Sequence, residues 1–170
     1  MKSASALPIR CIAAALCLTL FATATVWAAP SRPKPKPKAE YVRLYNQAYD
    51  EIRDLEFADA QRLLERALDR KSDFAEAHNN LAYTLRKQGE SHYDKALDHY
   101  NRAIELKPKL AEGYMYRGVL YVQMDNPDAA EADHATLEEL DPKLAKELAY
   151  VIEHGHEKSP EGFFGVAGKM

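Results

Sequence analysis

Cysteine is nearly absent from this sequence, and the two it has, Cys11 and Cys17, both lie in an uncharged apolar run at residues 11–26. Lys2 and Arg10 precede that run, and Val26 and Ala28 place small residues where a signal peptidase reads. A basic start, an apolar stretch and a small-residue site predict a secretory signal peptide over residues 1–28, cleaved after Ala28. A retained N-terminal anchor is the alternative, although the run is broken by Thr19, Thr23 and Thr25 and falls short of the about 20 apolar residues a span needs. Leu16 stands where lipid attachment at Cys17 would need a small residue. Export to the periplasm or beyond would leave a mature chain with no cysteine and no membrane span, hence no disulfide, thiol nucleophile or thiolate ligand.

Other scarcities narrow the function. Loss of Lys2 and Arg10 takes the 23 basic residues to 21 against 26 acidic ones, a net charge of −5 that argues against nucleic acid as partner. Only seven glycines are present, and they form no phosphate-cradling loop, dinucleotide fingerprint or GxSxG elbow. No carboxylate pair is set apart in an apolar stretch, as acid and base work requires. Neither an enzyme nor a cofactor is expected. Of the six histidines, His154 and His156 sit beside Glu153 and Glu157 in EHGHEK, a weak candidate metal site that fits no HExxH spacing. The plainer reading is a polar helix end, with His154 favourable near the helix dipole. His78, His92, His99 and His134 fall on different turns and have no evident partner in the sequence.

What the chain does have is proline, in two places that matter. Residues 29–40 carry Pro30, Pro33, Pro35 and Pro37 among four basic residues, which predicts an extended, solvated linker. It reads as a spacer or as a basic arm for an acidic surface. Farther on, IELKPKLAEGY (104–114) and EELDPKLAKEL (138–148) repeat at an offset of 34 residues. The helical pattern follows the same period. Ala96, Tyr100 and Ala103 correspond to Ala130, His134 and Leu137, and Ala60, Leu64 and Ala67 lie 36 residues before the middle set. The extra two residues are assigned to Ser91-His92 in a turn, where Ser91 and Asp94 have capping-box spacing. Asn126-Pro127 and Asp141-Pro142 each pair a capping side chain with proline at the first helical position.

Residues 75–108 carry Leu81, Ala82, Leu85, Gly89, Tyr93, Ala96, Tyr100, Ala103 and Pro108 in an order that resembles the tetratricopeptide repeat. Residues 111–142 resemble it through Tyr114, Gly118, Tyr121, Ala130 and Pro142, departing at Arg117, where leucine is usual, and at His134, where an aromatic is usual. Residues 41–72 are the weakest copy, with Ser72 in place of the closing proline. The resemblance implies an all-α, right-handed solenoid of about three helix-turn-helix units (41–74, 75–110 and 111–142). A capping helix over 143–155 and a tail over 156–170 would follow. Leu144, Leu148 and Ile152 give that helix a single apolar stripe, as the end of a stack needs.

In such a fold the first helices line a concave groove. The resemblance implies that Tyr45, Asn46 and Tyr49, then Asn79, Asn80, Tyr83, Arg86 and Lys87, then Met115 and Tyr116 face it. Aromatic area with amide hydrogen bonding suits an extended peptide, and Arg86 with Lys87 suits a carboxylate. Some of these tyrosines could instead pack between helices. A C-terminal carboxylate clamp known in the family is not expected, because Glu112 and Tyr116 occupy two of its basic positions. The reading is a protein-binding scaffold or assembly factor of the bacterial cell envelope, with a protein or peptide partner. A metal-handling accessory protein and an anchored scaffold are the alternatives. Three units are few for a free-standing solenoid, so a homodimer covering an open end is allowed. The tail carries Phe163, Phe164 and Val166 among glycines and either folds back or serves as a linear motif. Ala96 is read as the contact point of two helices: Ala96→Leu should overpack it and cost about 1 to 3 kcal/mol in chemical denaturation.

Overall fold

The computed structural model describes residues 38–158 and 166–170. The expected signal segment, residues 29–37 of the linker, and Phe163 and Phe164 lie outside them. The described residues form seven α-helices and no strand: α1 (Lys38–Arg53), α2 (Phe57–Arg70), α3 (Ala75–Lys87), α4 (Tyr93–Leu106), α5 (Ala111–Gln123), α6 (Pro127–Leu140) and α7 (Pro142–His154). Helix α1 begins at Lys38, so the last residues assigned to the linker are helical. There Glu40 accepts from Arg70 Nε of α2 at 3.3 Å, which ties the start of the first helix to the end of the second.

Each of α1/α2, α3/α4 and α5/α6 is a packed pair, and each second helix meets the first helix of the next pair. The first helices also touch in series, α1 to α3 to α5, and α7 continues that series by packing on α5 as well as α6. The molecule therefore has an inner layer of α1, α3, α5 and α7 and an outer layer of α2, α4 and α6. The layers meet at the period read from the sequence. Ala60, Ala96 and Ala130 are wholly buried; Leu64 and Tyr100 fill the space one turn on in the first two pairs, and Leu137 fills it two turns on in the third. Short side chains let the axes approach, and the long ones then complete dense packing. Gly118 makes the same kind of contact on the inner layer: a Cβ there would lie 2.5 Å from Leu148 Cδ2 of α7.

The turns show the repeat in backbone form. Leu55, Gly89 and Asp125 stand at equivalent places after α1, α3 and α5, with φ of 64°, 110° and 55°. After α1, Glu56 N donates to Glu51 O and Leu55 N to Ile52 O; after α5, Asn126 N donates to Tyr121 O and Asp125 N to Val122 O. This is the Schellman ending, whose left-handed residue is ordinarily glycine. The two inserted residues fall in a single 3-10 turn, Glu90–His92, between Gly89 and α4. Helix α4 has His92 at its N-cap and no side-chain capping bond, so the capping box expected of Ser91 and Asp94 is not made. The 3-10 turn occupies the residues that the box would have used. At the other two starts the caps form: Asn126 Oδ1 accepts from Ala129 N at 3.3 Å, and Asp141 Oδ1 accepts from Lys143 N at 2.9 Å and Leu144 N at 3.2 Å.

The departure from the repeat signature at Arg117 has a structural answer. Arg117 Nε donates to Asp133 Oδ2 at 3.0 Å, its Nη2 to Oδ1 at 2.6 Å, and its Nη1 to Asn101 Oδ1 at 2.8 Å, so one side chain joins α4, α5 and α6. Its guanidinium also lies over the rings of Tyr114 and Tyr121. Burial pushes the Asp133 carboxyl up, against the pull of Arg117.

Leu55 is 60% exposed, so its side chain contributes little to set against its left-handed backbone. Leu55→Gly is expected to stabilise the protein by about 0.5 to 1 kcal/mol, read as a higher denaturation midpoint at unchanged slope.

Candidate functional site

The inner layer presents α1 and α3 side by side, and helical spacing brings Tyr45 and Asn46 of α1 opposite Asn80 of α3. An asparagine in a buried position must satisfy both ends of its amide, and Asn80 is wholly buried. Its partners are the key to the site. Asn80 Nδ2 donates to the Tyr45 hydroxyl at 3.1 Å and to Ala167 O at 3.0 Å, and its Oδ1 accepts from Ala167 N at 2.9 Å. Asn79, beside it, donates from Nδ2 to Asn80 Oδ1 at 3.2 Å. The chain's own C-terminal residues thus lie against the inner face. Tail residues 166–170 are non-helical, and the fold-back reading of the tail is the one realised for them.

Asn46 repeats the arrangement at Met170: its Nδ2 donates to Met170 O at 2.7 Å, and its Oδ1 accepts from Met170 N at 2.9 Å. Two asparagine amides therefore each pair with the N–H and C=O of one tail residue, as a neighbouring strand would. The Tyr45 hydroxyl lies 2.6 Å from Ala167 O and 2.9 Å from Gly168 O, and its single proton serves the two. Burial pushes its pKa well above the usual phenol range, so it stays a donor at neutral pH. Lys169 Nζ reaches Asp50 Oδ1 at 2.7 Å and stands 6.0 Å from the centre of the Tyr49 ring.

A second cluster gathers at the C-terminal end of α3. The Arg86 guanidinium, its side chain 1% exposed, sits 5.4 Å from the centre of the Tyr83 ring and 5.1 Å from that of Tyr116. It donates from Nη1 and Nη2 to the two carboxylate oxygens of Glu157 at 3.2 and 3.3 Å, and from Nη1 to Gln123 Oε1 at 3.2 Å. Lys87 Nζ stands 3.8 Å from the same carboxylate, and burial together with Arg86 lowers its pKa. The carboxylate that Arg86 and Lys87 are suited to receive is, in this molecule, the chain's own.

The residues assigned to the groove thus separate into distinct settings. Tyr45, Asn46, Tyr49 and Asn80 meet residues 166–170; Arg86 and Lys87 meet Glu157, with Tyr83 and Tyr116 against the Arg86 guanidinium. Asn79 supports Asn80 from within, and Met115 is 3% exposed in the core. Sequence reading did not foresee the part of Glu157, which it had placed with the histidines as a metal candidate. It also overlooked a histidine pair. His78 and His99 stack, with Nδ1 atoms 2.9 Å apart and His78 Nε2 3.0 Å from Ser72 O. The carbonyl requires a proton on His78 Nε2, so His99 Nδ1–H donates to His78 Nδ1. Burial, helped by the neighbouring His78, pulls the His99 pKa down to about 4, so the pair stays neutral. The 21-residue separation of the two positions hides this contact.

His154 and His156 have their Nδ1 atoms against the carbonyls of Tyr150 at 2.9 Å and Glu157 at 3.1 Å, and their ring centres are 6.3 Å apart. Among the described residues no group of three histidine, cysteine, aspartate or glutamate side chains gathers where it could hold a metal ion. Among the same residues no helix is long and apolar enough to cross a membrane.

Residues 91–125, which run from the 3-10 turn through α4 and α5, match the family described as TPR repeat. The fold is the right-handed helix-pair solenoid of that repeat. The second TPR domain of human RPAP3, solved with an HSP70 peptide, superposes with a TM-score of 0.62 at 18% identity, covering 69% of this chain and 98% of that one. The Arabidopsis OM64 TPR domain gives 0.64 at 15% identity over 71% of this chain and 100% of that one. The Yersinia enterocolitica type III secretion chaperone SycD, solved with a peptide of the translocator YopD, gives 0.59 at 16% identity over 65% of this chain and 88% of that one. At these identities the likeness is one of fold. A curated Giardia intestinalis protein, UDP-N-acetylglucosamine--peptide N-acetylglucosaminyltransferase, is 40% identical over 70 residues, which is 41% of this chain. This chain spans 5% of the length of that relative.

Removing the Glu157 carboxylate leaves a buried guanidinium with one partner fewer. Glu157→Ala is expected to cost about 1 to 3 kcal/mol in chemical denaturation, against a smaller loss for Lys87→Ala, whose side chain is 24% exposed.

Proposed function

We propose that this protein is a scaffold or assembly factor that binds a non-helical segment of another protein along its inner layer and carries out no chemistry of its own. One observation carries the reading. Tyr45, Asn46 and Asn80 point polar atoms at a main chain, and a main chain is the one ligand feature every protein offers. Amide groups that recognise N–H and C=O tolerate varied side chains, while the aromatic surface of Tyr49 and the basic end at Lys87 supply selectivity. The solved relatives of like fold named above carry bound peptides on RPAP3 and SycD, which supports a peptide as the ligand class here. The N-terminal signal pattern supports an exported protein, cleaved after Ala28 and working in the cell envelope as a partner-binding component. The histidine pair at 154 and 156 gives the metal-handling alternative no third ligand among the described residues.

A photo-crosslinking residue tests this in the cell of origin. Placed at Asn46 on the inner layer, it is expected to give discrete adducts with another protein that the same residue at exposed Arg66 of α2 does not give. The same adducts from both positions, or none from Asn46, would overturn the reading. Truncating Asn80, Tyr83 and Arg86 together is the poorer test, because all three side chains are buried and their loss would damage the fold.

A further inference from the structure

The inner face at α1 and α3 already holds a ligand. Val166 and Ala167 are 7% and 3% exposed, as buried as core residues, although nothing in the repeat requires them there. Val166 joins the main hydrophobic cluster, Ala167 gives both main-chain groups to Asn80, and Met170 gives both of its own to Asn46. Between them Lys169 meets Asp50.

We propose that residues 166–170 are an intramolecular ligand of the groove. The proper partner is then an extended segment of the same chemistry, a branched aliphatic residue followed by alanine, glycine and a lysine, which binds by displacing this tail. The proposal rests on the reading of the inner layer as a peptide site and names the class of segment it takes.

Each position of the tail has a physical counterpart in the groove. Ala167 is 3% exposed with its main chain held by Asn80 and Tyr45, so a residue much larger than alanine would not fit there without loss of the amide bonds. Asp50 accommodates a cation two residues farther on. The Val166 seat is apolar and rewards a branched aliphatic side chain. The contact is also of a kind that exchanges. The tail adds no helix to the stack, Gly168, Lys169 and Met170 are exposed, and an ion pair as open as that of Lys169 and Asp50 contributes little. What holds the tail in place is tethering, since a segment of the same chain is presented to its site at a millimolar effective concentration or thereabouts. A partner therefore meets a groove whose free fraction is small, and its apparent affinity is lowered by that fraction.

The test uses a fluorescent peptide of sequence VAGKM, titrated by anisotropy into three proteins: the full chain, the chain ending at Gly165, and the full chain carrying Ala167→Glu. The last two are expected to bind with equal affinity, and the unmodified full chain about tenfold or more weakly. In the chain ending at Gly165, Asn46→Ala, at a half-buried position, is expected to weaken binding by about tenfold with unchanged circular dichroism. Equal affinity for all three proteins overturns the tail as competitor. Binding to none of them overturns the ligand class, while adducts at position 46 in cells would leave the peptide groove standing. Dimers of the full chain that dissociate with Ala167→Glu would assign the groove to the tail of a second copy, and so overturn an intramolecular ligand.

Discussion

Everything in this fold depends on how closely two helices can approach at one residue per pair. Ala60, Ala96 and Ala130 occupy that point with a methyl group, wholly buried, and the long side chains around them can then close the core. A pair packed this way still has one apolar face left over, so it is unstable alone and stable only in a stack. Stacking has two consequences. It places the first helices next to one another as an inner layer, and it leaves an unpaired face at the end, which α7 covers by packing on both α5 and α6. The close contact of Gly118 with Leu148 shows that this cap is fitted as tightly as the repeats themselves.

The inner layer holds most of the buried polar side chains, five of them on α3, against Asp133 in the outer layer. A buried asparagine amide has two protons and two lone pairs to satisfy, and Tyr45 of α1 and Asn79 of α3 bond Asn80 only once at each end. Residue 167 supplies what is missing, from 87 positions away in the chain. The same holds for Arg86, whose charge is stabilised in a buried place by Glu157 and by two tyrosine faces. Polar groups that need a partner from outside the repeat are what turn a packed scaffold into a receptor, and here both partners come from the segment that follows the cap.

Local pattern made the helices legible: the apolar spacing, the proline starts and the period of 34 are each short-range signals, and they gave the pairs, the insertion and the cap. Legibility fails where two residues meet across the stack. Asn80 could be named as a groove residue by its repeat position, but nothing near it in sequence indicates that Ala167 will lie against it. His78 and His99 appeared partnerless for the same reason. Glu157 is instructive in another way, because its neighbours His154 and His156 suggested a metal, whereas its carboxylate is directed at Arg86. The Ser91 capping box was misjudged for a local reason: spacing alone cannot say that an insertion will wind into a 3-10 turn and take the capping residue with it.

Arg117 and Asp133 illustrate what such a stack permits over time. The usual leucine at 117 would need no counterpart, whereas arginine there requires the carboxylate of Asp133, and that carboxylate in turn has no place in the interior without arginine. Neither residue can revert alone without stranding a charge. The two positions should therefore change together or not at all across related sequences, so that the third repeat carries a linked pair of characters by which its lineage can be followed.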